Sequence, residues 1–249
     1  MIAEERLARI VEMVERRGTA SVSELASALS ISESTIRRDL DKLDQAHRLV
    51  KVHGGATARE AAHLTRDLTL LERHGLHDEE KRAIAEYAAG LIGPDDFVYV
   101  DAGTSTEALV ARITETRALY VTDSVSHAMA LAARGCRVTV LGGELKSATE
   151  ALVGPDAIAS LERYHFTLGF WGSNGITEDA GYTTPDRSEA QVKQASMERA
   201  ERRYVLSDAS KFGRTSRVSF APFASAQILT AGDVPQEYRG LANVVAVGE

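Results

Sequence analysis

Apolar residues recur with helical spacing from the start of the chain. Leu7, Ile10, Val11 and Val14 fall at i, i+3, i+4 and i+7, charged residues such as Arg9 and Glu12 lie on the other side, and Gly18 ends the run. After Thr19-Ala20-Ser21, read as a connector, the spacing returns in Val22, Leu25, Ala26 and Leu29, with Ser23 placed to cap the helix start. A third helix is predicted beyond Ser30-Ile31-Ser32, with Ser32 as its N-cap and Ile36, Leu40 and Leu43 facing inward. Each helix is too short to be stable alone, so the three must pack on one another. The run Leu49-Val50-Lys51-Val52-His53-Gly54-Gly55-Ala56 has strand propensity broken by a Gly-Gly turn, which predicts a small hairpin or wing.

From Thr57 to about Glu80 the chain is charged and weakly patterned, and reads as an interdomain helix or linker. Beyond it, short apolar strands alternate with helices. Strands are predicted at 97–100, 119–122, 137–141, 167–170, 204–206, 228–230 and 244–247, with helices at 106–113, 124–133 and 187–199. That alternation indicates a mostly parallel sheet covered on both faces. The fold class is therefore α/β, divided into a helical head at 1–57, a linker at 58–76 and a larger α/β domain at 77–249.

With 249 residues, 44% of them hydrophobic, the chain can bury such a core. Its single cysteine, Cys136, cannot form an internal disulfide, and charges stand where a signal peptide needs an apolar run. No stretch approaches the ~18 apolar residues of a membrane span, so a cytoplasmic protein with no membrane partner is expected. The net charge of −7 argues against a surface uniformly coated for nucleic acid, but the average is uneven. Residues 1–58 hold nine Lys and Arg against nine Asp and Glu, so the remainder carries the whole −7.

Within the neutral head, the third helix places Ser34, Thr35, Arg37 and Arg38 away from its apolar face, with Lys42 one turn beyond Arg38. Hydroxyls and guanidiniums at the N-terminal end of a helix suit phosphates and guanine edges in a major groove. Asp41 is positioned to neutralise Arg37 at i+4, whereas Arg38 faces Lys42, a like-charge pair. Two arginines on an exposed helix face are also ordinary solvated surface. The preceding short-turned helix and the following hairpin with Arg48, Lys51 and His53 tilt the reading toward DNA.

The elements V-S-E-L-A, I-S-E-S-T-I-R-R-D-L and V-H-G-G-A, in this order and spacing, resemble the winged helix-turn-helix of DeoR-type bacterial transcriptional repressors. The resemblance implies double-stranded operator DNA as partner, a recognition helix presenting Ser34, Thr35, Arg37, Arg38 and Lys42, a wing at His53 and Gly54, and a homodimer or homotetramer.

In the larger domain, the strand at 97–100 runs into Asp101-Ala102-Gly103-Thr104-Ser105-Thr106-Glu107 and a helix. Small residues, three hydroxyls and a helix start at a strand's carboxyl end suit a phosphate, although a capped turn uses the same residues. Thr122-Asp123-Ser124 and Ser207-Asp208-Ala209-Ser210-Lys211-Phe212-Gly213 end other strands, and Lys211 can pair with phosphate as a point charge. D-A-G-T-S-T, L-G-G, L-V-G and S-D-A-S-K-F-G resemble, in order, the DeoR-type sensor domain, which shares its fold with ribose-5-phosphate isomerase. This implies a phosphorylated sugar as effector, contacted by Asp101, Gly103, Thr104, Ser105, Thr106 and Lys211, with no cofactor. Asp123 stands where the family often has Asn, and either contacts sugar hydroxyls or lies outside the site. Glu189 is read as a first-turn acid favoured by the helix dipole or as a ligand contact. The seven histidines show no zinc spacing, and no catalytic residue is expected. The enzymatic alternative, a sugar-phosphate isomerase carrying a DNA-binding domain, needs a positioned base, for which Asp101 or Glu107 would have to serve.

Overall fold

The computed structural model describes residues 3–46, 48–52, 54–58, 70–73 and 75–248. They divide into two units, 1–66 and 67–249. Of the expected linker, residues 59–69 and 74 lie outside the described residues.

In the first unit α1 (Ala3–Arg17), α2 (Val22–Leu29) and α3 (Glu33–Gln45) bury the anticipated stripes. Ile10, Val11, Val14, Leu25, Ile36, Leu40 and Leu43 form one cluster. The connector proves to be a strand. β1 (Thr19–Ser21) pairs antiparallel with β3 (Gly55–Thr57), which also pairs with β2 (Val50–Val52). Three residues are too few to show a period of two, and β1's partner lies 36 residues ahead in register Ala20↔Ala56. Gly55 permits this pairing, because a Cβ there would lie 2.3 Å from the Ala20 carbonyl oxygen. The α2 cap is Ser21 rather than Ser23. Its hydroxyl accepts from the Glu24 amide (3.2 Å), while the Ser21 amide donates to the Glu24 carboxylate (2.7 Å), a reciprocal capping box. Ser32 does sit at the N-cap of α3, but its hydroxyl bonds the Ser34 and Thr35 hydroxyls instead of a backbone amide. Buried Asp39 accepts two bonds from Arg6, at 2.5 and 3.1 Å, tying α3 to α1.

The second unit begins with α4 (Leu70–Arg73) and α5 (Asp78–Ala89), the latter extending well past the segment read as a linker. Seven parallel strands follow in the order β15-β14-β12-β9-β4-β5-β6. These are β4 (Phe97–Val100), β5 (Leu119–Thr122), β6 (Arg137–Val140), β9 (Phe166–Gly172), β12 (Ala200–Leu206), β14 (Gln227–Thr230) and β15 (Val244–Ala246). Alternate residues feed two cores, Tyr99, Val121, Trp171 and Val205 on one face and Val98, Val100, Phe170 and Leu206 on the other. The helices α6 (Thr104–Val110), α7 (Val125–Ala133), α8 (Pro155–Leu161) and α9 (Arg187–Glu198) lie between the strands in sequence. α6 starts two residues earlier than the pattern suggested, and α8 was not foreseen.

Two antiparallel additions were also not foreseen: a hairpin of β7 (Glu144–Lys146) and β8 (Ala151–Val153), and a sheet of β10 (Gly175–Thr177), β11 (Gly181–Thr184) and β13 (Val218–Ala221). Most of their strands are as short as the shorter ones of the large sheet but lack its continuous apolar runs, so nothing local marks them. From β4 the chain winds outward through β5 and β6, then returns to β9 on β4's other side and winds away through β12, β14 and β15. β4 and β9 therefore flank the switch point, outside whose carboxyl ends doubly wound sheets bind ligands.

Candidate functional site

On α3, Ser34, Arg37, Arg38 and Lys42 are exposed and Thr35 is half-buried, because Ile36, Asp39, Leu40 and Leu43 take the inner face. Arg37 pairs with Glu33 (2.8 Å), one turn back, and not with Asp41 as the spacing suggested. Asp41 is engaged by Lys51 from β2, so the wing takes the acid that α3 would otherwise have turned on its own arginine. An exposed pair such as Arg37–Glu33 contributes less than about 1 kcal/mol, so a phosphate or base edge can displace the carboxylate. Among the described residues, neither Arg38 nor Lys42 has an ion-pair partner. Gly54 makes the wing turn at φ 84°; His53 lies outside the described residues.

The crevice between β4 and β9 has a buried ionic floor. Asp101, fully buried at the end of β4, accepts from the Gly172 amide at the end of β9 (3.0 Å) and from Lys193 Nζ. Lys193 comes from α9 and lies 5.7 Å from the centre of the Phe220 ring. Asp123, 3% exposed, accepts from the Ala102 amide (2.7 Å) and so holds the loop after β4. Burial raises the pKa of Asp101, and the Lys193 charge offsets only part of that. Burial and the neighbouring Asp101 charge push Asp123 well above the usual carboxylate range, which keeps it protonated more readily than a surface aspartate. His127 of α7, beside the same loop, is pushed down to about 4 by burial and is neutral at pH 7.

Of the three loop hydroxyls, Thr106 is buried and donates to the Gly103 carbonyl (2.9 Å). Thr104 and Ser105 are half-buried, with no hydrogen-bond partner among the described residues. Lys211 lies 3.8 Å from Asp208 and 3.1 Å from the Ser210 hydroxyl. Burial pushes Asp208 upward, but Lys211 and Ser210 outweigh it and bring that carboxylate below its ordinary range.

A lysine that the sequence reading passed over stands with this group. Lys81 of α5 is 7% exposed and donates to the Arg73 carbonyl (3.1 Å). Burial lowers its pKa, the charges of Asp78 and Asp208 raise it, and Lys211 is near enough to lower it again. Lys81, Thr104 and Glu107 line one cavity of about 410 Å³. Its signal was present: Lys81 is in phase with Ile84, Ala85 and Ala88, a lysine inside an apolar stripe. Lys193 shows the same sign, four residues after buried Glu189 and four before Met197. Glu189 is an acid of the first turn of α9, as one of the two readings had it, but it is buried rather than solvated. It accepts from the Thr149 hydroxyl (2.5 Å) and from Lys146 (3.2 Å) of the β7–β8 hairpin.

Expected contacts thus separate into two groups. Among the described residues, Thr104 and Ser105 keep free hydroxyls, and Asp101 keeps a buried Oδ1 with no hydrogen-bond partner; Thr106 and Asp123 are bonded within the protein, and Lys81 and Lys211 are engaged by the Arg73 carbonyl and by Ser210. Among the described residues no group of three or more His, Cys, Asp or Glu could hold a metal ion, and no helix is long and apolar enough to cross a membrane.

A winged helix carrying a basic recognition helix, in one chain with a doubly wound α/β domain that has a polar cavity beside the helix following β4, defines a DNA-binding regulator. Residues 6–62 match the DeoR-like helix-turn-helix domain and residues 76–232 the DeoR C-terminal sensor domain. The chain belongs to the DeoR family of transcriptional regulators. The uncharacterized HTH-type transcriptional regulator FruR of Bacillus subtilis is 38% identical to it, over 92% of this chain and 91% of that protein. The lactose phosphotransferase system repressor of Streptococcus mutans is 32% identical over 88% of each. Among solved structures, ribose 5-phosphate isomerase A of Methanocaldococcus jannaschii aligns with 53% of each chain at 14% identity and a TM-score of 0.40, too distant to carry a functional argument. The protein is a regulator of transcription, and the isomerase alternative is not favoured.

Proposed function

We propose that the protein is a cytoplasmic repressor of genes for sugar uptake or catabolism, released from its operator by a phosphorylated sugar. The half-buried Thr104 and Ser105 hydroxyls at the start of the helix after β4, with Lys81 lining the same cavity as Thr104, support this reading. Hydroxyls can donate to phosphate oxygens and a lysine can offset their charge. The similarity to the lactose phosphotransferase system repressor of Streptococcus mutans supports the biological side. Bound phosphate would draw the loop after β4 toward α5 and Lys211, favouring one conformation of the sensor over another; operator affinity falls by the ratio of ligand affinities for the two.

On the DNA side, Ser34, Thr35, Arg37, Arg38 and Lys42 would enter the major groove, with Gly54 and His53 in the wing over the backbone. Gel-shift titration against the chain's own promoter region tests this. Arg37→Ala and Arg38→Ala are each expected to weaken binding by about 1–3 kcal/mol; full affinity in both would sink the assignment. Thermal-shift screening with sugar phosphates tests the pocket. A stabilising ligand whose effect survives in Lys211→Ala and Lys81→Ala would place its site elsewhere.

A further inference from the structure

The short helix α4 stands where the chain enters the sensor: the first unit ends at residue 66, and Leu70 opens the first element described beyond it. One turn of helix is marginal alone, because its first amides and last carbonyls have no partner within it. Both ends of α4 are completed from elsewhere in the sensor. The Leu70 amide donates to the Ala148 carbonyl (3.0 Å) in the turn of the β7–β8 hairpin, and the Arg73 carbonyl accepts from Lys81 Nζ (3.1 Å). α4 is thus clasped between a hairpin and a lysine.

Each half of the clasp is tied to the crevice. Lys81 lines the same cavity as Thr104. The hairpin is held on the first turn of α9, where Lys146 pairs with Asp186 (3.0 Å) and Glu189 (3.2 Å) and buried Thr149 donates to Glu189 (2.5 Å). One turn further along α9, Lys193 pairs with Asp101. The second strand of the hairpin reaches the loop after β5, since the Leu152 amide donates to the Asp123 carbonyl (2.7 Å), and Asp123 in turn holds the loop after β4. Between these attachments Glu150 sits at φ 54°, a left-handed backbone that costs energy for a residue with a side chain, so the surrounding bonds impose the turn. A dianionic phosphate attracts an ammonium more strongly than a carbonyl dipole does, so an anion in the cavity draws Lys81 from Arg73. Without that cap α4 unwinds, and its four residues, about 6 Å long as helix, span roughly 13 Å when extended. We propose that α4 is the release element of the regulator: clasped by Ala148 and Lys81 in the unliganded sensor, and unwound, with a longer tether to the DNA-binding head, when a phosphorylated ligand takes Lys81. This deepens the proposed function and rests on it for the ligand.

Operator affinity in the absence of any sugar phosphate is the first test, by gel shift of the full chain on its own promoter region. Leu70→Pro deletes the amide that bonds Ala148, at a helix position where proline is tolerated, and Leu70→Ala keeps it. Thr149→Val loosens the hairpin from Glu189 without touching α4. Leu70→Pro and Thr149→Val are expected to weaken operator binding about fivefold or more, as an effector would, with Leu70→Ala within about twofold of wild type. Hydrogen exchange read by mass spectrometry is the second test. On adding inorganic phosphate or fructose 6-phosphate to the wild type, the amides of 70–73 should exchange faster while those of 104–107 slow. Full operator affinity in both Leu70→Pro and Thr149→Val, a Leu70→Ala as weak as Leu70→Pro, or slowing at 104–107 with α4 unchanged or slowed overturns the release element. If neither probe nor any other sugar phosphate slows exchange at 104–107 or alters operator binding by the wild type, the proposed effector fails; weakened binding in Leu70→Pro and Thr149→Val then still assigns control of DNA binding to α4.

Discussion

Lys193 and Asp101 stand 92 residues apart in sequence and form one buried ion pair at the switch point. Removing one partner leaves the other charge without compensation in the interior. Lys193→Met should therefore destabilise the sensor by about 3–5 kcal/mol in urea unfolding, and Asp101→Asn/Lys193→Met should recover much of that loss. His127 makes a second prediction with a defined sign. Its folded pKa, about 4, is below the ordinary 6.5, so the unfolded chain binds more protons between those values. The contribution of neutral His127 is complete above pH 6.5 and is lost as pH falls toward 4. The melting temperature of wild type should fall more steeply between pH 7 and 5 than that of His127→Gln, and parallel profiles would refute this.

At the scale of elements, the wing is held by a strand of three residues and a glycine. Gly55→Ala forces a Cβ onto the Ala20 carbonyl, so the head should melt earlier and lose operator binding, while thermal shifts of the sensor with sugar phosphates persist. Ser21→Ala removes one half of the α2 capping box and should lower stability of the head by about 1 kcal/mol, measured by denaturant midpoint. α1, α2, α3 and most of the strands of the large sheet could be read from periodicity because each is long enough, or apolar enough, to show it. β1, β7, β8 and β10 could not, since three residues carry no period and their partners are fixed by contacts distant in the chain. The α2 cap was misplaced by two residues for a related reason: Ser21 and Ser23 are equivalent by composition, and only the reciprocal bonds with Glu24 separate them.

For the whole molecule, the uneven charge bears on DNA binding. The head is neutral overall, and the wing's Lys51 draws Asp41 away from Arg37, so few cations are free to neutralise phosphates. The slope of log affinity against log salt should accordingly be shallow for each head, and Arg38→Ala should reduce it by about one. The acidic sensor should stay off the duplex. The proposed effector release belongs to this scale as well, since it would join residues of different elements.

The amino-acid order alone determined the three helices of the head and most strands of the large sheet, that a helix-turn-helix with a basic recognition face precedes an α/β domain, and which loops carry hydroxyls and lysines. It did so because amphipathic periodicity and turn chemistry are local properties of the chain. Which polar residues remain available was decided only by tertiary structure. Asp101 is buried and paired with Lys193 while one of its oxygens stays unpartnered, Asp123 holds the loop after β4, Glu189 anchors the β7–β8 hairpin, and Lys81 lines the cavity from a helix outside the motifs. The cause is burial: removal from water favours polar groups that find partners inside the fold, and the partners of Asp101, Asp123 and Glu189 lie on elements brought together only by the winding of the sheet.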